Sequence, residues 1–212
     1  MTTTECPPLP VRITKSLLGY GVIAGPIYVL SVAGQMATRD GFDPTRHAAS
    51  QLANGDFGWI QIATFLVTGA MTIAAAVGMR RALGRGRLSA WASGLLAAYG
   101  AGLVVAGMFR ADLSDGFPPG TPPGVGELSW HGLVHFAVAG IGFACLVAAC
   151  FALGAWFTRK GEGSWAWFSR ATAVVFAASF LALSSGSGGA TTILAFTAAV
   201  VLAWAWLTAT SI

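Results

Sequence analysis

Apolar runs long enough to cross a membrane alternate with short polar stretches along this chain. A bilayer core needs roughly 20 helical residues. Six runs meet that length, near 14–36, 58–79, 88–109, 131–157, 166–185 and 189–209. The pattern predicts an all-α, polytopic membrane protein: a compact bundle of six transmembrane helices in one domain over 14–212, preceded by a disordered tail over 1–13. The last two runs are parted only by Ser184-Ser185-Gly186-Ser187-Gly188-Gly189, which reads as a tight turn between antiparallel helices. Pro26 lies inside the first run. A proline there is tolerated where neighbouring groups satisfy the carbonyl it frees.

Composition supports this reading. Only 9% of the 212 residues are charged and 55% are apolar, against about 25% charged in soluble domains. Too few charges remain to cover a soluble surface. The prolines at 7, 8 and 10 and the lack of a basic stretch leading into an apolar core do not fit a cleavable signal peptide. The first run is therefore expected to stay as a span. Cys145 and Cys150 lie in one apolar run and Cys6 in the tail, so no disulfide framework is expected. Trp59, Trp91, Trp130, Trp156 and Trp165 fall near run ends, where interfacial aromatics collect, and small residues fill the spans as close helix packing requires.

Charge then orients the bundle. The N-terminal segment, the connections 80–87 and 158–163, and Arg170 hold nine of the twelve Lys and Arg residues; the opposite side has Arg39, Arg46 and Arg110. The positive-inside rule places the nine in the cytoplasm, with both termini. Six of the eight acidic residues and all three histidines then face outward.

That outer side carries the candidate chemistry: His47, Ser50, Asp112, His131 and His135. The segment Pro44–Leu52 reads as a short helix capped by Asp43, with His47 and Ser50 three apart on one face. His131 and His135, four apart at the start of the fourth run, share a helix face, a spacing that suits two ligands on one metal ion. Three imidazoles plus water would make an open zinc site, with Asp112 moving protons and Ser50 donating to an oxyanion. A substrate reaching it from the outer leaflet would be a lipid. The plainer reading leaves the histidines at the interface, Asp112 in an ion pair with Arg110 or Arg46 or as a cap of the loop helix, and Ser50 as a turn residue. The segment Phe117–Gly124 reads as a rigid connector or as a lid. A transporter is disfavoured because ionisable groups are nearly missing from the spans, and haem between histidines is disfavoured because His131 and His135 suit one ion better. No nucleic-acid partner is expected; membrane lipids are.

Arg46-His47-x-x-Ser50-Gln51-Leu52, Phe109-Arg110-Ala111-Asp112 and His131-Gly132-Leu133-Val134-His135 together resemble the bacterial six-helix family catalogued as domain of unknown function 998. The resemblance implies a six-span fold in the bacterial inner membrane and no established activity. More distantly, the order Ser50 with His47, then Asp112, then His131 and His135 is similar to the alkaline ceramidase-like membrane hydrolases. Those have seven spans, place serine before histidine and carry the His-x-x-x-His late. Two functions follow as expectations: a zinc-dependent hydrolase of a lipid or amphiphile at the outer face, or a non-enzymatic lipid-binding, sensing or assembly module whose polar cluster is structural.

Overall fold

The structure, a computed structural model, describes residues 8–124, 126–186 and 189–212. Six helices account for most of them: α1 (Leu9–Thr38), α2 (Gly58–Ala82), α3 (Arg87–Met108), α4 (Trp130–Arg159), α5 (Gly163–Ser184) and α6 (Ala190–Thr210). All six are long and apolar enough to cross a membrane. A short 3-10 turn, Ala49–Ala53, lies between α1 and α2. No β-strand occurs among the described residues.

Five of the predicted tail residues are helical, because α1 begins at Leu9. Pro8 and Pro10 sit at its first turn, where proline's fixed φ suits the helix and its missing N–H costs nothing. Residues 1–7 lie outside the described residues, as do 187 and 188 of the expected Gly/Ser turn. The flanking Ser185 and Gly186 still end α5, Ser185 donating its N–H to the Leu181 carbonyl and Gly186 taking φ +80°.

Each helix packs on the next in sequence, and α6 packs back on α1 to close a ring. Glycines set how closely the helices meet. A Cβ on Gly69 would lie 2.7 Å from the Gly100 carbonyl, and one on Gly100 2.8 Å from the Gly69 carbonyl, so α2 and α3 touch backbone to backbone. At the α1–α6 seam a Cβ on Gly25 would lie 2.6 Å from Thr208 Oγ1. Pro26 has no N–H to give Val22, four residues back; the Thr208 hydroxyl of α6 donates to the Val22 carbonyl instead, at 3.2 Å. The centre of the ring is aromatic. Tyr28 stacks on Trp204 with centroids 4.8 Å apart, Tyr99 lies 6.3 Å from Trp204, and Phe143 meets Phe176, Phe180 and Phe196 edge to face.

The two ends of the bundle differ. One carries the starts of α1, α3 and α5 and the basic connections; there Arg81 of α2 donates to Thr14 of α1. The other carries the 3-10 turn and the long α3–α4 connection, and it positions the candidate site.

Candidate functional site

At the loop end the chain from Arg39 to Phe57 folds under the connection 109–129. The expected helix Pro44–Leu52 does not form. Asp43 accepts the N–H and hydroxyl of Thr45 through Oδ1, and its carbonyl accepts the N–H of Arg46 and of His47. An aspartate that folds its side chain over the next two residues makes a turn and stops there. The Thr45 hydroxyl and then its N–H hold the Asp43 carboxyl below the usual carboxylate range, with smaller help from the charge of Arg46. Ala48 is extended and the 3-10 turn follows. His47 and Ser50 therefore do not share a helix face.

His47 is 1% exposed and both of its ring nitrogens are engaged. The Asp43 N–H donates to Nδ1 at 2.9 Å. That bond makes Nδ1 the acceptor, so Nε2 carries the proton and donates to the Asp115 carbonyl at 3.1 Å. The ring lies between Phe42 and Phe117. Phe117 is fully buried and also packs edge to face on Phe42. The Arg39 guanidinium sits 5.3 Å over Phe117 while donating to the carbonyls of Leu52 and Asn54. The Asn54 side-chain amide donates to the Ala111 carbonyl. Phe117–Gly124 is thus pinned by its first residue to the segment after α1.

Asp112 sits at the N-terminus of α4. Its carboxylate accepts the Ser129 N–H at 3.1 Å and also the Ser129 hydroxyl. Ser129 is the N-cap of α4 and accepts the Gly132 N–H at 3.0 Å. A Cβ at Gly132 would collide with the Asp112 carboxylate. This is a cap built from two segments, favoured by the positive end of the helix dipole. The cap, and not an ion pair with Arg110 or Arg46, occupies Asp112.

The two α4 histidines part company. His131 is exposed, its ring tilted against that of Trp130 with centroids 3.7 Å apart, and it faces a shallow outer cleft with Asn54, Arg110, Asp112 and Ser129. His135 is 4% exposed and lies one turn deeper. Its Nδ1 is 2.8 Å from the Phe109 carbonyl and 3.2 Å from that of Ala106. Carbonyls only accept, so Nδ1 carries the proton and Nε2 is left with a lone pair and no protein partner. The three imidazoles expected on zinc do not converge, and among the described residues no three His, Cys, Asp or Glu side chains are grouped to hold a metal ion. The engaged nitrogens of His47 do not fit the three-histidine site.

What the loop end does hold is a cavity of about 280 Å³ inside the ring, lined by all six helices and roofed by Ala48, Ala49 and Ser50. His135 and Ser50 lie on its wall, as do Tyr28 and Tyr99, in an otherwise mostly apolar lining that includes Phe65, Leu103, Phe143, Phe196 and Val200. Phe136 and Val201 also line it and are 61% and 43% exposed, so it reaches the lipid-facing surface. Between His135 and Phe143 it runs about 12 Å along α4. Tyr28 and Tyr99 were the missed members of this site. The signal was available, for they are two of only three tyrosines in a chain of apolar spans.

The chain matches the family described as "Protein of unknown function (DUF998)" over residues 22–212 and belongs to it. No curated protein matches it, and no solved structure does.

Proposed function

We propose that this protein is a membrane module that holds the apolar part of an amphiphile inside the helix ring, in a bacterial cytoplasmic membrane with both termini in the cytoplasm. The orientation rests on the nine basic residues at one end. The binding reading rests on one observation: a mostly apolar cavity that opens towards lipid and carries polar side chains, Ser50 and His135, near its roof. Binding sites for small amphiphiles are concave, mainly apolar and fixed by a few polar groups. Native mass spectrometry of the full chain released from nanodiscs tests it. Ala139 of α4 also lines the cavity, so the wild type should retain an amphiphile that the Ala139→Phe variant, with its cavity filled, has lost. Equal retention by both would sink the reading.

A second reading, hydrolysis of the bound amphiphile, is favoured by Ser50 and His135 both lining this cavity. A histidine oriented through Nδ1–H, with Nε2 free, is arranged as a general base is. In this reading Asp112 caps α4 and takes no part in proton transfer, and no step runs through zinc. Release of fatty acid from a labelled lipid ester by the wild type, lost in Ser50→Ala while the ester is still retained, would support it. No release above an empty-nanodisc control would exclude it.

A further inference from the structure

The chemistry of the cavity wall narrows what the cavity takes. We infer that its occupant is an uncharged amphiphile headed by a hydroxyl beside an ester or ether oxygen, an acylglycerol-type lipid, whose O–H is donated to His135 Nε2. This rests on the reading of the cavity as an amphiphile site.

Three observations carry it. No Asp, Glu, Lys or Arg lines the cavity among the described residues. An ionised head would therefore enter without a counter-charge, and a buried unpaired charge is strongly disfavoured. A carboxylic acid could shed its proton onto His135, but the ion pair so made would sit among Phe65 and Phe136, with only the neutral hydroxyls of Ser50, Tyr28 and Tyr99 on the lining to offset its desolvation.

Second, His135 is 4% exposed, and its Nδ1–H is committed to the Phe109 and Ala106 carbonyls at the end of α3. The remaining ring nitrogen, Nε2, is an acceptor, and His135 lines the cavity. An acceptor calls for an O–H or N–H donor, which an ester, ether or hydrocarbon end cannot supply. Third, the Ser50 hydroxyl has no protein hydrogen-bond partner and lines the same roof. It can donate to an oxygen next to the ligand's hydroxyl. A head offering one donor and an adjacent acceptor satisfies both side chains; the hydrocarbon chain then follows the apolar wall towards Phe143 and Val200.

The test uses the full chain in nanodiscs, loaded with an equimolar mixture of a medium-chain monoacylglycerol, the same lipid with its hydroxyls methylated, and the parent fatty acid at neutral pH. Retention is read by native mass spectrometry. The monoacylglycerol should be retained about tenfold over each of the others, the scale of one net hydrogen bond. In His135→Phe its preference over the methylated lipid should fall to near one. His135→Gln, which can donate to the α3 carbonyls and still present an oxygen, should restore part of it and guards against a folding defect. Equal retention of the methylated lipid by the wild type, or preference for the fatty acid, would overturn this inference and leave the cavity reading standing. Retention of none of the three, unchanged by Ala139→Phe, would overturn both.

Discussion

The Thr208 hydroxyl donates across the α1–α6 seam to the Val22 carbonyl, the acceptor that Pro26 leaves without a helical donor. In hydrocarbon no water can take that place. Thr208→Val keeps the shape and removes the donor. It should lower stability by about 1 kcal/mol, read as a lower midpoint of denaturant-driven unfolding in detergent. Pro26→Ala restores an N–H to Val22, so the double variant should recover most of the loss. A double variant no better than Thr208→Val would show that the proline plays no part.

Asp112 and Gly132 should behave as a coupled pair. Asp112→Ala removes the acceptor for both Ser129 donors and should cost about 1–2 kcal/mol. Gly132→Ala drives a methyl into the carboxylate and should destabilise as well. In the double variant the collision is gone, so the two effects should sum to less than their parts by more than 0.5 kcal/mol on the usual scale of about 0.5–3 kcal/mol for contacting residues. Thermal unfolding of the four proteins measures this; simple additivity would contradict the geometry.

His47→Ala strands the Asp43 N–H and the Asp115 carbonyl and leaves a void between Phe42 and Phe117. The expected loss is about 3 kcal/mol. Because both nitrogens of His47 already have partners in the fold, elemental analysis should give the same zinc content for this variant as for the wild type. A stoichiometric loss of zinc in a still-folded His47→Ala protein would restore the metal reading.

The turn at Asp43 should be acid-sensitive in a defined direction. Its carboxyl titrates below the usual range because Thr45 donates to the charged form. A lowered native value means the turn's contribution is complete above about pH 4, the ordinary aspartate value, and is lost as pH falls through the native one. Amide exchange across residues 45–53 should therefore quicken below pH 4 in the wild type. Asp43→Asn, whose amide oxygen accepts at any pH, should remove that dependence relative to the wild type.

The spans were legible in the sequence because nothing but a helix keeps twenty apolar residues hydrogen-bonded in a bilayer. The site was legible in part. Four residues on a helix return to nearly the same face, which is why His131 and His135 read as a pair. Their fates differ because α3 ends at Met108, level with His135, whose ring meets the last α3 carbonyls, while His131 stands beyond that end. His47 read as a ligand because its real partners, an N–H four residues away and a carbonyl 68 residues away, are backbone groups that every residue owns. Arg39 was hidden in the same way, since its acceptors are the carbonyls of Leu52 and Asn54. Asp112 read as a proton carrier, whereas the structure commits it to Ser129, the cap of α4. Backbone partners distant in sequence leave no mark in residue identity.

Closure of the ring by α6 has a consequence in time. The ribosome delivers α1 first and α6 last, so α1 enters the bilayer with Val22 unpaired and with the Gly21 and Gly25 face waiting for Thr208 and Ser211. Until α6 emerges, that face is open to any other small-residue helix in the membrane. A chain stopped before Ala190 would be an incomplete ring with an adhesive edge, a ready substrate for membrane quality control.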